Sequence, residues 1–301
     1  MANIAIPEFP SNLGLIEPAP GLEPGVKKLP VWLQKYSFYK LLSLEKIYSL
    51  FPPSYSMNID KESGVRNADA ISDYAKQQAG ILKKVIQEKT FAVAIGGDCS
   101  ILIGNSLALK QLGNYGLFFL DGHTDFAWPL LSQTAGAAGM DLAIVTGHGH
   151  KKLSNILNLG PYINEKNVWC VGNRNFDEVY VRAITNSKIN YFDLNKLREE
   201  GIINCCNSFL KMVAENNLDG FWIHLDVDVL NDEIMPAVDS REEGGLIYKE
   251  LNEILEILVS SKKAIGMEIT ILDPDLDPSG IYTKNFVNEI GQLIKEKKNN
   301  D

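Results

Sequence analysis

The 301-residue chain is short of several features that would fix a function class. No uninterrupted apolar run reaches the roughly 20 residues of a membrane-spanning helix, so no membrane partner is expected. Residues 1–10 have no basic segment followed by an apolar one, so no signal peptide is expected and the cytoplasm is the expected location. There are only four cysteines, and two of them, Cys205 and Cys206, are adjacent, which is not the spacing of a disulfide framework. Cys170 reads as a small core residue in a strand and the adjacent pair as helix packing. Basic residues are scattered and the formal net charge is -9, which argues against nucleic-acid binding because that function wants a basic stripe. Internal repeats and low-complexity stretches are also absent.

Hydrophobic residues make up 45% of the chain, enough for a substantial core. Apolar runs at 91–95, 117–120, 167–171, 189–192, 221–225 and 264–269 read as strands. Helical patterns at 68–88, 100–112, 203–216 and 248–260 lie between them. This alternation is that of an α/β protein with a parallel sheet covered by helices. One domain over residues 1–301 is expected, with 18–30 as a loop and 295–301 as a frayed, solvated helix end. The irregular stretch 129–139 is placed to carry substrate contacts.

Two acidic clusters each follow a buried strand: Asp121-Gly122-His123-Thr124-Asp125 after 117–120, and Asp226-Val227-Asp228 after 221–225. Ligands bind at the carboxyl ends of parallel strands. Four aspartates and a histidine gathered there would repel one another unless positive charge sat among them, and a pair of divalent cations is the simplest source. Oxygen ligands with one imidazole suit manganese. An aspartate after a strand is often only a cap or a turn residue. Two clusters with this spacing favour the metal reading, since residues two apart on a continuing strand share a face.

These motifs resemble those of the ureohydrolase superfamily, which includes arginase, agmatinase and formiminoglutamase. Gly25-Val26-Lys27-Lys28-Leu29-Pro30 is similar to an early family segment, with Leu29 in place of a glycine. Gly96-Gly97-Asp98-Cys99-Ser100 resembles Gly-Gly-Asp-His-Ser, and the two acidic clusters match Asp-x-His-x-Asp and Asp-x-Asp. Gly244-Gly245-Leu246 and Glu268 match later family positions. The resemblance implies a three-layer α/β/α sandwich with a mainly parallel sheet, and two manganese ions sharing a hydroxide that attacks a linear C–N bond. It implies that Asp121 and Asp226 bridge the ions, that His123 and Asp228 serve one, and that Asp125 and Cys99 serve the other. Asp125 would also accept a hydrogen bond from the nucleophile, and Glu268 would hold the substrate guanidinium. Asp177, in Asn173-Arg174-Asn175-Phe176-Asp177, and Thr134 would lie on the substrate side.

The chain departs from the family at three further positions. Cys99 stands where arginase and agmatinase have histidine. It is either a thiolate ligand, which favours zinc or iron, or an unliganded thiol. Ala138 occupies the position of a proton-shuttling histidine, and Ala127 that of an asparagine that helps bind the arginine carboxylate. His148 and His150 read as solvated loop residues and His224 as a hydrogen-bonded core histidine. Trp128 either lines an apolar pocket wall or packs beneath the loop. The expected function is metal-dependent hydrolysis of a small cationic guanidino, amidino or formimino compound by a homo-oligomer. The alternative is a non-catalytic metal- or ligand-binding member of the same fold. A deacetylase on a related fold is set aside for want of a His-His pair.

Overall fold

Strand β4 (Tyr115–Leu120) shows how this sequence builds a sheet. Its side chains alternate, Leu117 and Phe119 entering one core and Phe118 and Leu120 the other. A strand apolar on both faces has to be covered on both, and that is the condition met by parallel sheets with helices above and below. The computed structural model describes residues 3–300 apart from 43 and 45, with the side chains of 296–300 also outside the description. Within it β4 joins β1 (Ile4–Glu8), β2 (Lys46–Ser49), β3 (Phe91–Ile95), β5 (Val168–Val171), β6 (Asn190–Phe192), β7 (Gly220–Asp226) and β8 (Ala264–Thr270). The order across the sheet is β2-β1-β3-β8-β7-β4-β5-β6, and every pairing is parallel.

One face of the sheet is covered by α1 (Leu29–Lys35), α2 (Phe38–Leu42), α8 (Leu194–Glu200), α9 (Ile202–Glu215), α10 (Tyr248–Val259) and α11 (Ile281–Asn300). The other is covered by α3 (Ala68–Gln87), α4 (Ile101–Leu112), α5 (Asp141–Val145), α6 (Lys151–Ser154) and α7 (Glu178–Thr185). In α3 the buried residues Ile71, Ala75, Ala79, Leu82 and Val85 recur at three- and four-residue steps, one stripe of an amphipathic helix. In α9 the stripe is Cys205, Cys206, Phe209 and Val213, which places the adjacent cysteines as free packing residues. The three-layer arrangement is the one expected, with a sheet that is wholly rather than mainly parallel.

The two strands without a sequence signal are β1 and β2. Pro7 within β1 argues against a paired strand, and β2 is a largely exposed edge. At the end expected to be frayed and solvated, 295–301, the backbone of α11 runs on to Asn300, while the side chains of 296–300 and residue 301 lie outside the description. No helix among the described residues is long and apolar enough to cross a membrane.

The topology creates the site. The chain builds β1 to β3 on one side and β4 to β6 on the other, then inserts β7 and β8 between them. The carboxyl ends of β3, β8, β7 and β4 therefore lie side by side, and each carries polar residues.

Candidate metal centre

Turns, rather than a continuing strand, gather the acidic residues. β4 ends at Leu120, and the amide of Asp121 still donates to the Val171 carbonyl (3.1 Å). Beyond it the chain leaves the sheet. The Asp121 carboxylate accepts from the His123 amide (2.6 Å), and Asp125 takes a left-handed φ of 42°. Asp226 closes β7 and accepts from the Asp228 amide (2.7 Å) in the short 3-10 turn Val227–Val229. The expected strand-like alternation of His123, Asp125 and Asp228 is thus corrected: a side chain accepting the amide two residues on bends the backbone at both places.

The two loops are tied together. The Gly122 amide donates to Asp228 Oδ1 (3.0 Å). Arg174 donates to the carbonyls of Asp228 (2.8 Å) and Glu242 (2.9 Å). A Cβ on residue 122 would lie 2.4 Å from the Arg174 guanidinium and 2.9 Å from Asp228 Oδ1, so any larger residue would have to displace these groups. After β3, Asp98 is structural: it accepts from the Ser11 hydroxyl (2.8 Å) and from the amides of Ser100 (2.8 Å) and Gly14 (3.2 Å).

Three groups of potential ligand atoms result, and within each the atoms lie within 4.8 Å of one another. The shallow group is Asp121, His123 and Asp228, with His123 Nδ1 2.9 Å from Asp228 Oδ2. The deep group is Cys99, Asp121, Asp226 and His224. The third joins Cys99 to Asp125 and Asp141. All six expected metal residues are brought together, with Asp121 common to the shallow and deep groups. Asp141 and His224 are additions. Asp141 heads α5 and was hidden in sequence because an acid at a helix start is ordinarily a favourable dipole partner.

The electrostatics suit a cation. Burial raises the Asp226 carboxyl well above the usual carboxylate range, and the charges of Asp228 and Asp121 push the same way. Burial likewise raises Asp125, with Asp121 adding to it, and raises Asp141. Burial lifts the Cys99 thiol, and the negative Asp226 lifts it further. Burial opposes protonation of His123, but the Asp228 and Asp121 carboxylates together outweigh it and hold the ring's pKa high. Asp121 goes the other way: the neighbouring His123 and His224 rings overcome its desolvation and lower it. Asp121 Oδ2 and both oxygens of Asp141 are buried with no hydrogen-bond partner among the described residues. Unpartnered buried carboxylate oxygens are costly. Their convergence with a thiol and two imidazoles is the donor set of a divalent cation site, so these residues fit metal ions.

Beside this centre lies a cavity of about 320 Å³. His123, Asp125 and Ala127 form its inner wall; Ser132, Thr134 and Gly139 come from the irregular stretch, and Asn173, Asn175, Asp177 and Tyr180 from the segment after β5. Asp177 and Thr134, expected on the substrate side, both line this cavity. Asn173, Asn175 and Tyr180 were not singled out from the sequence, where they look like turn and helix residues. Ala138 is buried and is not one of the lining residues. Trp128 packs against His148 with near-parallel rings 6.3 Å apart, and His148 also pairs with Glu165 (2.6 Å).

Glu268, expected to hold a guanidinium, sits deeper than the other expected residues. It lies inside β8, fully buried, and is not one of the cavity-lining residues. One oxygen meets His224 Nδ1 (2.5 Å) and the other accepts from the Asn105 amide. The strand sets its depth: Thr270, two residues later on the same face, is the β8 residue level with Asp226, whereas Glu268 is level with His224. Both oxygens of its carboxylate are thus engaged below the centre, by His224 and Asn105.

Comparison with known proteins agrees with this geometry. The sequence pattern of the arginase family matches residues 40–293. The arginase of Staphylococcus aureus (strain MRSA252) is 29% identical over 241 residues, covering 78% of each chain. The solved native arginase of Bacillus caldovelox superposes with a TM-score of 0.87 at 24% identity, covering 98% of both chains. Formimidoylglutamase from Bacillus subtilis superposes with a TM-score of 0.75 at 18% identity, covering 99% of this chain and 88% of that one.

Proposed function

Because the chain belongs to the arginase family and is a hydrolase of guanidino C–N bonds, we propose that it cleaves a small cationic guanidino, amidino or formimino compound at a two-ion centre. The products are an amine together with urea or the corresponding amide. The carrying observation is that the shallow and deep ligand groups share Asp121, that Cys99 of the deep group is also grouped with Asp125, and that His123 and Asp125 line one cavity. Asp121 and Asp226 are read as the shared carboxylates, His123 and Asp228 as ligands of the shallow ion, and Cys99 and Asp125 as ligands of the deep one. Two divalent cations there would lower the pKa of a water between them and polarise the carbon under attack. Manganese suits the oxygen-rich shallow group, while a Cys99 thiolate opens the deep group to zinc or iron.

The chain's own groups divide the remaining work. Asp125 faces the cavity and accepts a hydrogen bond from the attacking water. Asp177 at the rim attracts the substrate cation. Ala127 on the inner wall offers no amide to an α-carboxylate, which argues for a substrate without arginine's amino-acid head. Ala138 carries no proton, so the leaving amine takes its proton through water or leaves readily on its own.

One contact favours a second reading. The Cys99 thiol donates to Asp226 (2.8 Å) and sits 3.1 Å from the Thr270 hydroxyl. A thiol satisfied in this way fits a non-catalytic metal- or ligand-binding member of the same fold. A panel of guanidino, amidino and formimino compounds, assayed for urea, ammonia and amine after loading with manganese, zinc or iron, separates the two. Turnover of a compound smaller than arginine is expected. Silence across the panel with both sites filled supports the non-catalytic reading, and robust urea release from arginine contradicts the role given to Ala127.

A further inference from the structure

A row of residues crosses the middle of the sheet just beneath the metal centre. Phe119 on β4, His224 on β7, Glu268 on β8 and Ala94 on β3 are successive partners in register. His224 lies two residues before Asp226, so both project from the same face of β7, with His224 one step deeper. The sequence offers it as a core histidine satisfied by a hydrogen bond, and half of that description holds. Nδ1 meets Glu268 (2.5 Å), and Glu268 is itself held by Asn105. The ring stacks on Phe119 with centroids 4.4 Å apart and planes 5° from parallel, which fixes its orientation.

The other nitrogen is left over. His224 Nε2 is fully buried and has no hydrogen-bond partner among the described residues; the same is true of Asp121 Oδ2. The two atoms face each other at 3.8 Å. That is too long for a hydrogen bond. It is close to the separation of about 3.3–3.8 Å between two donors on one tetrahedral ion with bonds of about 2.0–2.3 Å. An imidazole whose far nitrogen is held by a carboxylate is the usual arrangement of a metal-ligating histidine.

We infer that His224 ligates the deep ion through Nε2, taking in a Cys99–Asp121–His224–Asp226 seat the place read above for Asp125, and that Glu268 is its positioning residue. This assignment deepens, and rests on, the two-ion reading. Sulfur, imidazole and two carboxylates make a donor set for zinc or ferrous iron, whereas the shallow seat has imidazole and oxygen alone. The two seats therefore differ in kind, and one chain is built to hold two unlike ions. The deeply buried His224–Glu268 pair, costly in a sheet centre if it served packing alone, then has a use.

The test is X-ray absorption at the zinc edge on the full chain carrying one equivalent of zinc, with zinc affinity measured in parallel. His123→Ala removes the shallow imidazole, so imidazole scattering in that variant reports on the deep seat. One sulfur and one imidazole are expected there. His224→Ala in the same background should abolish the imidazole signal and weaken zinc at least 100-fold. Glu268→Gln should keep both scatterers and weaken zinc about 10–100-fold. Sulfur without imidazole in His123→Ala, or unchanged zinc affinity after His224→Ala, overturns the assignment and leaves the two-ion reading standing. If wild-type protein binds no zinc, manganese or iron at all, both fall. If His224→Ala does not fold, the scattering of the His123→Ala protein decides alone.

Discussion

Asp177 is a useful point at which to probe substrate binding because the structure gives it two separable jobs. Its carboxylate accepts from the Val179 amide (2.9 Å), capping α7, and its charge lies at the cavity rim. Helix α7 buries only Ile184, so the cap carries much of its order. Asp177→Asn keeps a capping oxygen and removes the charge, whereas Asp177→Ala removes both. Asp177 is exposed, so its attraction for a cation is screened and should amount to no more than roughly 5-fold in KM at low salt. Loss of the cap costs about 1 kcal/mol, and the first turn of α7 carries Tyr180, which lines the cavity and donates to the Leu131 carbonyl (3.1 Å). If fraying displaces Tyr180, that free energy appears as a further factor of roughly 5. The expectation is KM raised about 5-fold by Asn and about 25-fold by Ala, with kcat nearly unchanged because the interaction is uniform binding. The assay is steady-state kinetics on whichever panel compound is turned over, at about 10 mM and 1 M salt. The Asn effect should vanish at high salt while the extra Ala effect persists. Equal KM for wild type and Asn at low salt, or a loss confined to kcat, refutes the role given to the charge.

Two further predictions concern the metal centre. Metal-free protein should lose stability as pH rises. Burial raises Asp125, Asp141 and Asp226, so the folded state holds protons that the unfolded state releases near pH 4, and stability falls with increasing pH. His123 and His224 are raised by their carboxylate partners against the effect of burial and act in the same sense; Asp121, lowered, opposes them. Ions displace those protons, so the gap in Tm between loaded and chelator-stripped protein should widen from pH 5 to 8, and a constant gap contradicts the charge assignment. Gly122→Ala should force the Arg174 guanidinium and Asp228 apart, destabilise the protein by about 1–3 kcal/mol and weaken the shallow ion, read by urea melts and manganese titration.

What the sequence revealed of this molecule follows from how each signal is encoded. β3, β4 and β7 are apolar on both faces, so their composition declares them. β1 and β2 are ordered by their neighbours, through pairings such as Ile6 with Ile47, and have no comparable internal signal. The residues of the two acidic clusters were legible because each occupies one short run in a known order. Asp141 was not, since its place beside Cys99 depends on where α5 docks. The depth of Glu268 was not legible because depth along a strand is a matter of register: its pairing with His224 puts it below the centre. Asn173, Asn175 and Tyr180 reach the cavity through loop geometry that composition does not encode.

The account's central claim is a pair of ions sharing Asp121 and Asp226, and the metal content of wild-type and Asp226→Ala protein tests it most directly. Both proteins are reconstituted with manganese and zinc, freed of loosely held metal, and measured for ions per chain, with a thermal melt confirming that the variant is folded. The account predicts about two ions per chain in the wild type and loss of both in the folded variant, because a shared carboxylate serves two cations at once. A folded Asp226→Ala protein that still holds the wild-type number of ions contradicts it.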